Sequence, residues 1–144
     1  MIAENLSREF PFITTYFYAL FELEKNRFPQ SLVFEGLDPY AQLFYSLELA
    51  RVLNCLEDGD TNCQCLNCKW IREGKHPAIN FVSQLHFKSS DDDSKTVISA
   101  IQAKNIEKSL RETSDYHRFF IFFDAKPTAP DDISNESIQK YSPE

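Results

Sequence analysis

The four cysteines are the residues whose type and spacing most directly suggest chemistry. They are Cys55, Cys63, Cys65 and Cys68, all within one short segment. Four thiolates so close together can close a tetrahedral zinc site, and the Cys65-x-x-Cys68 spacing is common in such sites. Because four protein ligands leave no open coordination position, a catalytic zinc is not expected. The segment therefore predicts a structural Zn²⁺ bound by all four cysteines.

Two other interpretations of the cysteine segment stay open. Cys63-x-Cys65 is tighter than the usual ligand spacing, so the four residues could instead be reduced, partly buried thiols. Cys65-x-x-Cys68 could also form a redox-active pair. The three histidines are scattered, and only His76 could replace a cysteine as a ligand, which we do not expect.

A second segment, V33-F-E-G-L-D-P-Y-A-Q-L-F44, has the frame of a phosphate-binding loop without its functional residues. Such loops read G-x-x-x-x-G-K-[ST] after a strand. Counted from Gly36, Ala41 replaces the second glycine, Gln42 the lysine and Leu43 the hydroxyl residue. Gln42 cannot supply the cation that nucleotide phosphates need, and Leu43 cannot bind Mg²⁺. The loop is therefore degenerate.

Asp38 and Pro39 favour an ordinary helix start in this loop. Aspartate is a preferred N-cap residue and proline a preferred first helical residue. Proline also lacks the N–H that a phosphate would use. The Asp38 carboxylate would take the place of an incoming phosphate at the helix N-terminus. A nucleotide site is the less favoured alternative.

Asp124 follows the apolar segment F119-F-I-F-F123. Phosphate-loop ATPases place a Mg²⁺-binding Asp at such a strand end, often followed by a Glu that handles the attacking water. Here the next residue is Ala125, which cannot act as a base. Asp124 is thus at most a vestige of a nucleotide site, and the sequence predicts neither bound ATP nor hydrolysis.

Composition limits the class of protein. The chain has 144 residues, 42% of them hydrophobic, which is enough for one globular domain with a core. No apolar segment is long enough to span a membrane, and the N-terminus does not resemble a signal peptide. The net charge of −7 argues against a domain that binds nucleic acid with its whole surface. We expect a soluble cytoplasmic protein.

Apolar periodicity gives the elements that would position these residues. Helices are predicted over 13–26, 40–54, 65–73, 96–113 and 133–141, strands over 31–35, 78–83 and 119–123, and a mobile acidic loop over 88–95. The strand over 119–123 is expected to be buried on both faces. Alternating strands and helices indicate an α/β fold with a parallel sheet, whose ligands bind at the carboxyl ends of strands.

Several segments together resemble one family. F28-P-Q-S-L-V-F-E-G-L-D-P-Y-A-Q-L-F-Y-S-L-E-L-A-R-V-L-N-C55 is similar to the opening of bacterial DNA polymerase III clamp-loader subunits, the gamma/tau and delta-prime proteins. The segment C65-x-x-C-x-x-I-R-E-G-K-H-P77 resembles the zinc module of that family, and F120-I-F-F-D124 resembles its strand with the Mg²⁺-site Asp. The resemblance covers about residues 8–140. Because the phosphate-loop lysine and the Glu after the Mg²⁺-site Asp are both missing from this sequence, the resemblance favours delta-prime, the subunit that does not hydrolyse ATP.

The sequence departs from the family in two ways. The last three cysteines are spaced C-x-C-x-x-C, one residue shorter than the usual C-x-x-C-x-x-C, which puts the middle ligand in doubt. The chain also stops soon after Asp124, where the family continues with two more strands, a lid domain and a helical collar. We therefore expect a partial domain of the AAA+/RecA-like nucleotide-binding type over 1–144, with a zinc module at 55–76. The family's ATP-reaching arginine cannot be assigned.

The resemblance implies a structural subunit that helps to load the sliding clamp during DNA replication. Its expected partners are gamma/tau-like and delta-like subunits, and through them the clamp and primed DNA, with no membrane association. Its expected cofactor is structural Zn²⁺, and no catalytic residue is expected. The alternatives are an ATP-binding gamma/tau-like ATPase, and a zinc or thiol module unrelated to replication.

Overall fold

The computed structural model describes residues 1–23, 28–82 and 100–122. Their elements alternate between helix and strand in the second half of the chain, as the sequence predicted. In order they are α1 (Glu4–Glu9), α2 (Pro11–Leu23), α3 (Pro39–Asn54), α4 (Leu66–Arg72), β1 (Ile79–Val82), α5 (Ala100–Arg111) and β2 (Phe119–Phe122). The predicted loop at 88–95 and the predicted helix at 133–141 lie outside the described residues.

Helix α3 begins where its capping residues predict. Asp38 is the N-cap, and its Oδ1 accepts hydrogen bonds from the backbone N–H groups of Tyr40 and Ala41, both at 3.1 Å. Pro39 occupies the first helical position. The helix ends at Asn54 because Cys55 turns to an extended conformation, with ψ of 135°. The predicted helix over 40–54 is therefore confirmed to within one residue.

Strands β1 and β2 form a parallel pair. Ile79 lies opposite Phe119, and Val82 opposite Phe122. A parallel pair needs a crossover connection, and α5 lies in it. The predicted α/β organisation with a parallel sheet is confirmed. The expectation that the last strand is buried on both faces is wrong for Phe122, which is 59% exposed, because the described sheet has only two strands.

Two hydrophobic clusters lie on different sides of α3. The first, the aromatic core, joins the N-terminal residues, α2 and α3 through Ile2, Leu6, Phe17, Ala41, Tyr45, Leu49 and Val52. The second, the sheet core, joins α3, α4 and the two strands through Ala50, Ile71, Ile79 and Ile121. Helix α3 thus packs against both cores. The degenerate loop lies at its N-terminal end, and Cys55 follows its C-terminal end.

Some predicted details are wrong. Residues 31–35 are not a strand; Val33 is 82% exposed, and no described strand lies beside this segment to pair with it. The apolar spacing of Ile13, Phe17, Leu20 and Leu23 predicts that these residues face inward; Phe17 does, whereas Ile13 is exposed and Thr14 is buried instead. Helix α1 was not predicted. In the part of the chain that the structure describes, no helix has the length and apolar character needed to cross a bilayer.

Candidate metal centre

The four cysteines come together as the sequence predicted. Their Sγ atoms all lie within 4.8 Å of one another, and no disulfide joins them. Cys55 Sγ is 3.6 Å from Cys63 Sγ and 3.9 Å from Cys65 Sγ. A regular tetrahedron with Zn–S bonds of about 2.3 Å separates its sulfurs by about 3.8 Å. The cluster therefore has dimensions that suit a four-thiolate zinc ion, including the sulfur of the closely spaced Cys63.

Two helix ends position three of these sulfurs. Cys55 is the C-cap of α3, Cys65 is the N-cap of α4, and Cys68 lies in the first turn of α4. Cys65 Sγ also accepts a hydrogen bond from the backbone N–H of Cys68 at 3.5 Å, which is the capping contact. The Cys65-x-x-Cys68 spacing thus places both sulfurs at the start of one helix.

The turn between the first and second cysteines is held by its backbone. Gly59 has φ of +73°, a left-handed conformation that glycine adopts without strain. A side chain there would also lie 3.3 Å from Val52 Cγ1. Arg72 reaches back from α4 and donates hydrogen bonds to the carbonyls of Thr61 and Cys63, the latter at 2.7 Å. These contacts hold the turn in a conformation that places the Cys63 sulfur close to the other three.

Backbone N–H groups point at three of the four sulfurs. Glu57 N–H donates to Cys55 Sγ at 3.4 Å, and Cys65 N–H donates to Cys63 Sγ at 3.4 Å. Cys68 N–H donates to Cys65 Sγ, and the fourth sulfur, Cys68, accepts from the Arg51 side chain at 3.6 Å. Donors of this kind stabilise thiolates, which are the form that binds metal.

The thiols are not equivalent. Burial would raise the pKa of Cys65, but hydrogen bonds from the backbone N–H groups of Leu56 and Cys68 outweigh it and lower that pKa to about 7. At Cys63 the Cys65 N–H acts to lower the pKa, yet burial and contacts with neighbouring thiols and Glu57 raise it to about 11. Burial also raises the pKa of Cys68. Metal binding at this cluster would therefore release protons, from Cys63 and Cys68 above all.

Three residues that sequence reasoning missed organise the surroundings of the cluster. Arg51 is fully buried, and Asn54 and Asn67 are almost fully buried. Asn67 Nδ2 donates to the Asn54 carbonyl at 2.8 Å, which joins α4 to the end of α3. The sequence contains a signal for Arg51: it lies between apolar neighbours in L49-A-R-V-L53, which indicates a charged residue on a buried part of a helix.

The residues of the degenerate loop lie at the opposite end of α3, about 24 Å away along a helix of 16 residues. Gln42 Nε2 donates to the Gly36 carbonyl at 3.3 Å, so the side chain in the lysine position closes back onto the loop. Leu43 packs against the sheet core. Asp124 lies outside the described residues.

Comparison with known proteins identifies the family of the chain. The family described as DNA polymerase III, delta subunit, matches residues 17–126, which is 110 of the 144 residues. The delta-prime subunit of DNA polymerase III from Bacillus subtilis (strain 168) is 39% identical over 61 residues. That match covers 42% of this chain and 18% of the relative, so the chain corresponds to a small part of it. No solved structure matches the chain significantly. The chain belongs to the family described as DNA polymerase III, delta subunit.

Proposed function

We propose that the chain is a non-hydrolysing, delta-prime-like subunit that acts as a docking body in loading the sliding clamp during DNA replication. It contributes surface to gamma/tau-like and delta-like subunits, and through them it associates with the clamp and primed DNA in the cytoplasm. It catalyses no reaction itself. Membership of the family supports this role, and the name of the Bacillus subtilis relative supports the delta-prime assignment.

The closed N-terminus of α3 is the observation that carries the proposal. Asp38 accepts from two of the free backbone N–H groups there, and Pro39 has none to offer. A nucleotide phosphate would meet a carboxylate instead of donors. Gln42, in the position of the lysine, donates a hydrogen bond to the Gly36 carbonyl and brings no positive charge to the loop. These contacts support a subunit that keeps the frame of a nucleotide loop and does not bind ATP.

A structural Zn²⁺ at Cys55, Cys63, Cys65 and Cys68 is the second part of the proposal. The sulfur separations fit a tetrahedral ion. The ion would crosslink the end of α3, the turn before α4 and the start of α4. The module over 55–76 would thus be held by the metal in addition to Ile71, which packs in the sheet core.

Co-purification tests the role as a subunit. The tagged chain is mixed with gamma/tau-like and delta-like subunits of the same organism and passed over a sizing column, with and without ATP. We expect a complex in both conditions, since this chain needs no nucleotide. A chain that elutes alone from both partners contradicts the proposal.

Equilibrium dialysis with labelled ATP tests the loop. The wild-type chain should bind no ATP, and Gln42→Lys should still bind none because Asp38 and Pro39 continue to close the helix. Binding by Gln42→Lys alone would show that the cap is not the obstacle. Turnover by the wild type that Asp124→Ala abolishes would favour the ATPase alternative.

Metal analysis tests the cysteine cluster. We expect one tightly held zinc per chain and no accessible thiols. Cys68→Ser should bind zinc far more weakly and lose it on dialysis against a chelator, whereas Leu66→Ser, at an exposed residue of the same helix, should keep it. A metal-free protein that cycles a disulfide between Cys65 and Cys68 would favour the redox alternative.

A further inference from the structure

Arg51 stands out because it is a fully buried cation beside the cysteine cluster. Its exposed fraction is 0%, which is rare for arginine and costly unless its charge and its N–H groups are paired. Its Nε donates to Glu48 Oε1 at 2.9 Å, and its Nη2 donates to Glu48 Oε2 at 3.1 Å. This pair is bidentate and the carboxylate side chain is only 12% exposed.

The other contacts of Arg51 lead to three separate parts of the chain. Nη1 donates to the Asp60 carbonyl at 2.8 Å, in the turn that returns Cys63 to the cluster. Nη2 donates to the Met1 carbonyl, next to the aromatic core. Nη1 also donates to Cys68 Sγ at 3.6 Å. One planar guanidinium therefore fixes the positions of a metal-binding sulfur, the turn before it and the N-terminal segment.

The contact with Cys68 completes a pattern. Cys55, Cys63 and Cys65 accept hydrogen bonds from backbone N–H groups, and Cys68 accepts from a cationic side chain. Four thiolates around Zn²⁺ leave a net charge of −2, and three of the four cysteines are buried. A buried anionic centre needs nearby donors or cations, and Arg51 provides both at the most deeply buried sulfur, Cys68.

We propose that Arg51 is a positioning residue of the metal centre, which orients the Cys68 sulfur for metal binding and links the centre to the N-terminal segment. The inference rests on the proposed zinc site. The inference adds to the proposed zinc site a residue that does not itself bind the metal. It also assigns the interaction of that residue to a single sulfur, that of Cys68. Arg72 provides the contrast, since it donates to carbonyls of the same module, those of Thr61 and Cys63.

A double-mutant cycle on zinc affinity tests the inference. Zinc binding by the full chain is measured in competition with a chromogenic chelator for the wild type, Arg51→Met, Cys68→Ser and the double variant. Loss of a residue that orients a metal ligand typically lowers affinity by about 10- to 100-fold. We expect a loss of that size for Arg51→Met in the wild-type background and almost none in the Cys68→Ser background. Arg72→Met should lower affinity by the same factor in both backgrounds.

The possible results of this cycle distinguish a failure of the Arg51 inference from a failure of the proposed zinc site. If the wild type binds zinc and the effect of Arg51→Met is the same with and without Cys68, Arg51 is only a structural residue and the inference is wrong. If the wild type binds no zinc, both the inference and the proposed centre are wrong. Should Arg51→Met fail to fold, Arg51→Lys keeps the charge and replaces it in the same cycle, with a smaller loss expected that again depends on Cys68.

Discussion

At the scale of single residues, Asp38 caps α3 and is also the residue on which the proposed function depends most. Its carboxylate accepts from the N–H groups of Tyr40 and Ala41, where a phosphate would bind in a working nucleotide loop. The same contact that stabilises the start of α3 would therefore, on the proposed function, keep a phosphate out. The sequence predicted this residue correctly because N-capping is local and depends on few neighbours.

Asp38→Ala should lower the free energy of unfolding by about 1 kcal/mol, because two N–H groups of α3 lose their acceptor. Denaturant unfolding followed by circular dichroism measures the effect. Asp58→Ala, at an exposed turn position, is the matched control and should change stability by less than about 0.5 kcal/mol. Equal effects of the two substitutions would show that the cap contributes nothing.

His76 is the residue for which the structure predicts a pH effect. Burial lowers its pKa from the usual 6.5, and its Nε2 has no hydrogen-bond partner among the described residues. The folded state therefore favours the neutral ring. Above pH 6.5 both states are neutral, and below it the unfolded chain binds the proton first, so stability falls as the pH falls.

Unfolding midpoints measured from about pH 7.5 down to about pH 5 test this effect of His76. His76→Gln should lose less stability over this range than the wild type, whereas His117→Gln, at an exposed position, should follow the wild type. Because metal release also occurs in acid, the comparison is made between variants at each pH. Identical pH profiles for wild type and His76→Gln would exclude the residue as the cause.

At the scale of elements, Asn54 joins α3 to β2. Its Nδ2 donates to the His117 carbonyl at 2.9 Å, and its Oδ1 accepts from His117 N–H at 2.8 Å. The next residue, Cys55, is the first of the four clustered cysteines. The end of α3, the start of the sheet strand and the cysteine segment are thus fixed at one point in space, which sequence periodicity could not indicate because residues 54 and 117 are far apart in the chain.

Asn54→Ala should cost about 1–3 kcal/mol, since it removes both part-buried hydrogen bonds between Asn54 and the His117 backbone. Thermal unfolding should show the loss, and hydrogen exchange should show faster exchange at His117 N–H in particular. Asn105→Ala, on the exposed side of α5, is the control and should be neutral or slightly stabilising because alanine favours helix. Unchanged protection of His117 N–H in the Asn54 variant would contradict the prediction.

At the scale of the whole molecule, the two hydrophobic cores pack different elements against α3. Phe17 lies at the centre of the aromatic core, with ring centroids 5.6 Å from Phe28 and 5.9 Å from Tyr45. Tyr45 also shares a buried hydrogen bond of 2.7 Å with Thr14. The aromatic core holds the N-terminal helices to α3, and the sheet core holds the strands and α4 to the same helix.

Phe17→Ala should destabilise the chain by about 3–5 kcal/mol, because it opens a cavity between packed rings. Phe12→Ala in the same helix should be almost neutral, since Phe12 is 90% exposed. Both are measured by denaturant unfolding of the metal-loaded chain. Similar losses for the two variants would show that α2 does not pack as described.

The sequence by itself determined what depends on near neighbours: the capped start and the end of α3, the grouping of the cysteines and the loss of the phosphate-loop residues. The tertiary structure alone decided what depends on distant partners. Residues 31–35 have the apolar composition of a strand, yet no described strand lies beside them. Arg51 is hydrophilic by type, yet it is buried, because Glu48, two backbone carbonyls and a cysteine sulfur converge on it from separate segments. Strand pairing and the compensation of a buried charge both need partners that are distant in the chain and close in space. A sequence pattern shows one partner and not which residues lie beside it in the fold.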